Sequence, residues 1–376
     1  MKIAVVIPKY GLVGGSEGFA FEVTERLAAR GELEVHVFSN RWRSRSAQIM
    51  FHKVPLLPVP RFLRPVSFAY IANKMIGKGN YDIIHSHERI FKMDFFSMHN
   101  IPHTTWIEEV REKPLSLFDR ATAWVERKAM TGSNIPFVLP VSTLVKDELQ
   151  RAYDLPESQI QVIHPGASVE RFDALNREAS RASIRQRHNL LHNDIVVLLV
   201  GMNFEIKGLD LLLRGVAAAV AKGQRNSRLK VLAVGKGEKR RYLTMAHDLG
   251  IGDRVTLTGP TSEIEGYYLA SDIFALPSRF DTFGMTVLEA MAANLPVVIT
   301  QRVGARDIVE SGVSGFILSR SPSHEELAET LGILAEKELR LMMGERAHQV
   351  ALQYPWERTV EQVERLYYLL GRRTSE

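Results

Sequence analysis

Pro277-Ser278-Arg279-Phe280-Asp281-Thr282-Phe283-Gly284-Met285-Thr286-Val287-Leu288-Glu289-Ala290 is the stretch on which the reading of this chain turns. It follows the apolar run Ile273-Phe274-Ala275-Leu276, which reads as a buried strand. It leads into Leu288–Ala293, which reads as the body of a helix. Two acids, Asp281 and Glu289, thus flank a glycine turn at a strand-to-helix junction. Helix N-terminal amides at such a junction suit a phosphate. Glu289 can accept hydrogen bonds from a vicinal diol such as a ribose, and Asp281 from a second sugar. Taken singly, Asp281 reads as a helix cap and Glu289 as a solvated surface residue. The whole string favours a ligand with a diphosphate between two sugars, a nucleotide-sugar.

Working outward, short apolar runs alternate with helical periods on both sides of this stretch. In the first half, Ile3–Ile7, Val35–Ser39, Ile83–His85 and Phe137–Pro140 read as strands. Ser16–Arg30, Ser67–Ile76, Ala121–Thr131 and Ser142–Arg151 read as helices. The pattern restarts with strands at Ile195–Val200, Leu229–Val234, Val255–Thr258, Ile273–Leu276 and Val297–Ile299. Alternation of this kind predicts an α/β fold of two doubly wound, Rossmann-like parallel-sheet domains. The expected division is 1–170, 171–354 and a C-terminal helical segment over 355–376. A chain of 376 residues exceeds what one core usually holds.

Composition narrows the classes. With 45% hydrophobic and 24% charged residues the chain is an ordinary globular one, and no apolar run of membrane-spanning length occurs. Met1–Ile7 runs at once into Pro8 and a glycine loop, so it reads as a first strand rather than a signal peptide. Zero cysteines exclude disulfides, thiol catalysis and thiolate metal sites. A cytoplasmic location is expected. The net charge of +5 is modest, but the first half clusters it. Arg41-Trp42-Arg43-Ser44-Arg45, His52-Lys53 and Arg61-Phe62-Leu63-Arg64 interleave cations with aromatics. That pattern suits an anionic membrane surface or glycolipid, a single-stranded nucleic acid, or a solvated loop.

Further motifs sit where strands end. Gly11-Leu12-Val13-Gly14-Gly15-Ser16-Glu17 follows the first strand and opens a helix, without the spacing of a dinucleotide fingerprint. Its glycines let a ligand approach backbone amides, and Ser16 is a candidate N-cap. Gly201-Met202-Asn203-Phe204-Glu205-Ile206-Lys207-Gly208 follows the first strand of the second half. His85, His87, His99 and His103 fall close together. His-x-His on a strand puts two rings on one face, which leaves a metal site open. Gly235-Lys236-Gly237-Glu238, Arg254–Gly259, Val303–Val309 and Gly312–Gly315 are further glycine-bearing blocks.

Together these strings resemble the retaining glycosyltransferases of family four (group 1), which have the GT-B fold of two domains facing a cleft. Asp281 and Glu289 stand where that family has its acid-x7-acid motif, with Asp281 one methylene shorter than the usual Glu. Lys207-Gly208 matches the family's Lys-Gly, and the Arg that usually precedes it is Met202 here. Bacterial envelope enzymes such as those of lipopolysaccharide core share that departure. Arg306 is a candidate replacement cation, in a block where Asp307 stands for the usual Glu.

The resemblance implies a metal-independent transfer from a nucleotide-sugar, with a UDP-sugar favoured, and no other cofactor. Lys207 and the amides of Phe283, Gly284 and Met285 would hold the diphosphate. Glu289 would hold the ribose, and Asp281 with His99 the transferred sugar, with Asn100 as the alternative to His99. Gly14 and Gly15 would meet donor phosphates or acceptor. Asn203, Gly235 and Gly237 would line the nucleotide pocket. It also implies a C-terminal helix crossing back to the first domain. The expected acceptor is a cell-envelope glycan or glycolipid such as lipopolysaccharide core, reached at the cytoplasmic face of the membrane. A nucleotide-sugar epimerase and a non-catalytic nucleotide-sugar binder remain as alternatives, and no nucleic-acid partner is expected.

Overall fold

The computed structural model describes all residues except Val13, Leu56, Ser133, 224–227 and 372–376. They form two compact units, one of Met1–Gly166 with the chain from Trp356 onward, the other of Ala167–Pro355.

The first unit holds β1 (Lys2–Val6), β2 (Lys9–Tyr10), β3 (Glu34–Ser39), β4 (Arg41–Trp42), β5 (Met50–Lys53), β6 (Ile83–Ser86), β7 (Phe95–Met98) and β8 (Phe137–Pro140). Six of these make a parallel sheet in the order β5-β3-β1-β6-β7-β8, and β2 pairs with β4 as a separate ribbon. The second unit holds β9 (Ile195–Gly201), β10 (Leu229–Gly235), β11 (Val255–Leu257), β12 (Ile273–Leu276), β13 (Val297–Thr300) and β14 (Gly315–Leu318). Its sheet is again parallel, in the order β11-β10-β9-β12-β13-β14. Both sheets are therefore doubly wound, as the sequence alternation predicts. Strand order reverses between β1 and β6 in one and between β9 and β12 in the other. Loops leaving the carboxyl ends of such a strand pair splay to opposite faces and open a crevice, the usual place for a ligand in this architecture.

Burial explains the sequence pattern. β9 reads Ile-Val-Val-Leu-Leu-Val-Gly with no alternation because helices cover both faces of its sheet. The helix Leu209–Ala221 turns Leu209, Leu212, Leu213, Val216 and Ala219 inward at helical spacing onto Val231, Leu327 and Leu331. In the first unit, the C-terminal helix Trp356–Gly371 packs against the helix Gly15–Ala29. Arg26 Nε lies 3.1 Å from the Glu357 carboxylate, and Arg30 pairs with Glu364. The Thr359 hydroxyl donates to the His164 carbonyl at 2.9 Å.

β5, β7, the β2–β4 ribbon and β14 were not among the expected strands. Met50-Phe51-His52-Lys53 is a half-exposed edge strand without an apolar run, so only its neighbour β3 reveals it. Arg41-Trp42 and His52-Lys53, read as basic-aromatic segments, lie in β4 and β5.

Candidate functional site

In the second unit the predicted residues gather at the carboxyl ends of β9 and β12, where strand order reverses. The loop after β9 is stitched to the loop after β12. The Ser278 hydroxyl donates to the Ile206 carbonyl at 2.7 Å, and the Arg279 amide donates to the same oxygen at 2.8 Å. Gly208 is left-handed (φ 74°), and a Cβ there would lie 2.0 Å from the Pro277 carbonyl oxygen. Only glycine allows that approach. This seam brings the Lys207 ammonium onto the Asp281 carboxylate as an ion pair, both side chains largely buried.

Asp281 is itself fixed by its backbone. Its amide donates to the Arg302 carbonyl, and its carbonyl accepts from the Gly304 amide, each at 2.9 Å. The next residues turn into the helix Met285–Ala292 through Gly284, left-handed at φ 86°. That glycine brings no side-chain acceptor to the first helical amides, and of these Val287 donates to the Gly284 carbonyl at 2.8 Å, which leaves the helix start polar toward an anion. Asp281 is therefore not the helix cap. Glu289, one turn further, accepts a 2.7 Å hydrogen bond from the Tyr268 hydroxyl. Burial pushes the Glu289 carboxyl above its ordinary range, opposed by the Tyr268 bond and the charge of Arg171. The Tyr268 hydroxyl is driven well above its usual value by burial and then by Glu289.

Asn203 shapes its own loop, its side-chain oxygen accepting from the amides of Glu205 and Ile206 at 3.2 and 3.3 Å. Gly235 pairs in register with Gly201 at the ends of β10 and β9. Met202, Asn203, Lys236, Gly237, Glu238 and Arg241 line a cavity of about 330 Å³. Arg306, the candidate replacement cation, donates to the Gln301 carbonyl at 2.9 Å.

His99, Asn100, Gly14 and Gly15 belong to the first unit. Gly14 and Gly15 follow β2 and open the helix Gly15–Ala29, with Val13 outside the described residues. Gly14, not Ser16, is the N-cap; Ser16 donates to Glu17 at 2.9 Å. At the ends of β6 and β7 the histidines cluster, with His85 and His87 buried and His99 partly exposed. His87 Nδ1 and His99 Nε2 are 2.9 Å apart, and His85 reaches Ser97 Oγ at 2.8 Å and Tyr367 at 2.5 Å. Burial depresses His85 and His99 to about 3 and His87 well below its usual value, so all three rings are neutral at physiological pH. Among the described residues no three His, Asp or Glu groups are arranged to hold a metal ion. His103 is tied to Asp119 at 2.9 Å. Asn100 instead lines a cavity of about 390 Å³ with Pro8, Phe68, Arg89, Trp106 and Phe118.

Sequence reasoning missed Tyr268, because nothing in Gly266-Tyr267-Tyr268 says which ring turns toward Glu289. It also missed the outward face of the helix Leu117–Met130. There Leu117, Arg120, Trp124, Arg127 and Lys128 are exposed along one stripe, with Trp124 48% exposed. The stripe was legible at helical spacing. The Arg41–Arg45 segment is more tied down. Trp42 stacks on Phe51 with centroids 5.0 Å apart, and Arg45 lies 4.7 Å over the Phe21 ring.

Comparison with known proteins agrees with this fold. The model for "Glycosyl transferases group 1" matches residues 180–350, and that for "Glycosyltransferase Family 4" matches residues 13–171. The chain belongs to the group 1 glycosyltransferases with the GT-B fold, and it is a glycosyltransferase. It is 26% identical over 393 residues to a D-inositol 3-phosphate glycosyltransferase of Corynebacterium jeikeium, covering 96% of this chain and 93% of that one. Its fold is similar to that of WaaG, a glycosyltransferase involved in lipopolysaccharide biosynthesis (TM-score 0.82, 20% identity, 96% and 98% of the two chains). It is also similar to that of Anabaena HepE, solved with UDP-glucose (TM-score 0.75, 18% identity, 97% and 99% covered).

Proposed function

We propose that the chain is a retaining, metal-independent hexosyltransferase. It moves a hexose from a nucleotide-sugar, with UDP-sugars favoured, to a cell-envelope glycan or glycolipid such as lipopolysaccharide core. The observation that carries this reading is the Lys207–Asp281 pair beside the N-terminus of the helix Met285–Ala292, at the reversal between β9 and β12. A cation and helix amides suit a diphosphate, and Asp281 and Glu289 suit hydroxyls on either side of it. Gly14 and Gly15 admit phosphate or acceptor, and Asn203, Gly235 and Gly237 line the nucleotide pocket. His99 faces the transferred sugar, with Asn100 as the alternative.

In the reaction the bond from the anomeric carbon to the diphosphate oxygen breaks, and its electron pair leaves with the nucleoside diphosphate. The acceptor hydroxyl oxygen bonds to the same face of that carbon, and its proton passes to the departing phosphate oxygen. Lys207 and the Phe283, Gly284 and Met285 amides stabilise the charge that builds there. The UDP-glucose bound by HepE and the lipopolysaccharide role of WaaG support the donor and acceptor classes. The acceptor is membrane-borne, and the Leu117–Lys128 stripe with Arg61 and Arg64 supplies an anionic-membrane contact at the cytoplasmic face. No helix among the described residues is long and apolar enough to cross a membrane. The test is transfer from UDP-glucose to a lipopolysaccharide-core acceptor in EDTA, with the product's anomeric configuration read by NMR. An α-linked product formed undiminished in EDTA supports the reading. A β-linked product, or transfer abolished by EDTA, overturns it.

A further inference from the structure

His87 and His99 leave neighbouring strands β6 and β7 and meet ring to ring. Their nitrogens are 2.9 Å apart, their planes are 12° from parallel and their centroids are 5.2 Å apart. Two constraints hold His87 in place. Its amide donates to the Val6 carbonyl at 2.9 Å, which extends the β6 pairing by one residue, and its ring sits 4.4 Å from the His85 ring. Phe19 closes the other side with its edge against His99, centroids 4.9 Å apart, and Trp356 lies 5.8 Å behind Phe19.

Both rings are neutral, so each carries one ring proton. The shared contact is a single hydrogen bond in which one nitrogen donates and the other accepts. Whichever way it runs, the state of His99 Nε2 fixes that of His99 Nδ1. A donor at Nε2 leaves an acceptor at Nδ1, and an acceptor at Nε2 leaves an N–H at Nδ1. Among the described residues, Nδ1 is the ring nitrogen of His99 left for a ligand.

We propose that His87 is a positioning residue: its hydrogen bond couples the tautomer of His99 to its own and holds the His99 ring, and so bears on what His99 Nδ1 offers to the transferred sugar. This rests on the assignment of His99 to that sugar. His85 serves a different end in the same cluster. Both its nitrogens are taken by Ser97 and Tyr367, which ties the C-terminal helix to β6 and β7.

The experiment compares His87→Phe, His87→Asn, His85→Asn and His99→Ala with the full-length parent chain. Two readouts are taken: the ring ¹⁵N shifts of His99, and kcat and KM for UDP release from UDP-glucose with lipopolysaccharide-core acceptor. In the parent His99 shows one tautomer. His87→Phe keeps a flat ring without the hydrogen bond. It is expected to give a tautomer mixture and to lower kcat about 10²-fold, the scale of a misplaced reacting group, with donor KM little changed. His87→Asn, which can still donate or accept, recovers part of both. His85→Asn is expected to leave the His99 tautomer and kcat near parental. An unchanged single tautomer in His87→Phe overturns the proposal whatever the kinetics. Lost turnover in His99→Ala with parental turnover in His87→Phe also overturns it. Parental turnover in His99→Ala overturns the underlying assignment of His99 as well.

Discussion

Lys207 and Asp281 are ion-paired although 74 residues separate them in sequence, because each lies just beyond the carboxyl end of one strand of the β9–β12 pair. The pair holds a cation where a diphosphate is proposed to bind, and it occupies that cation with a carboxylate. Replacing Asp281 with Asn frees the ammonium. UDP is therefore expected to bind several-fold more tightly to Asp281→Asn in calorimetry, while kcat falls because the sugar loses a charged acceptor and one of its two acceptor oxygens becomes a donor. Lys207→Ala is expected to weaken UDP binding and to lower kcat about 10²–10³-fold, the usual scale for one preorganised donor. Unchanged UDP affinity in both variants would contradict the role given to Lys207.

Glu289, proposed to hold the ribose, is buried at a cost. Burial raises its pKa in the folded state, so the protonated form is favoured there, and ionisation destabilises the fold as pH rises through the raised value. The Tyr268 hydroxyl offsets part of this. Glu289→Gln keeps an acceptor for Tyr268 and removes the ionisation. It is expected to raise the melting temperature at pH 8 with little effect at pH 4, and to weaken UDP binding. Thermal unfolding at the two pH values checks the sign. A loss of stability at pH 8 would contradict it.

The histidine chain predicts acid sensitivity of the first unit. His85 and His99 stay neutral down to about 3 when folded, whereas unfolded histidines protonate near 6.5. With depressed folded values, their contribution is present above about 6.5 and drains as pH falls toward 3. Each buried ring steepens the fall by up to about 1.4 kcal/mol per pH unit. Urea unfolding at pH 7.5 and 5.5 should show the drop, and His85→Gln should shallow it. Equal stability at both pH values would contradict the neutral assignments.

Much of this was legible in sequence, for reasons particular residues show. Ile195–Val200 announced a strand covered on both faces, and Leu209–Ala221 a helix with one buried stripe. Hence the doubly wound pattern could be read without coordinates. Lys207-Gly208 and the Asp281–Glu289 string were legible because their backbone needs are local. Gly208 and Gly284 adopt left-handed turns that side chains resist. Long-range choices were not legible. That Asp281 meets Lys207, that Glu289 meets Tyr268 and that His87 meets His99 each depend on strand order. The edge strand Met50–Lys53 depends on β3 rather than on its own residues.

The exposed stripe Leu117, Arg120, Trp124, Arg127 and Lys128 faces away from the buried residues Thr122, Val125, Glu126 and Ala129 of the same helix. A face that mixes an exposed Trp and Leu with three cations should adsorb to anionic bilayers. Co-sedimentation with vesicles containing phosphatidylglycerol is expected to fall severalfold in Trp124→Ser/Arg127→Ser and to decline with salt. Equal binding to neutral vesicles would contradict an electrostatic contact.

The most direct test of the central claim is release of free nucleoside diphosphate from a panel of UDP-, GDP- and ADP-sugars. It is run in EDTA, with and without lipopolysaccharide-core acceptor, beside Glu289→Ala. The account predicts acceptor-stimulated release from one donor, a UDP-sugar, lost in Glu289→Ala. Nucleotide binding without release from any donor, or release that Glu289→Ala leaves intact, would contradict it.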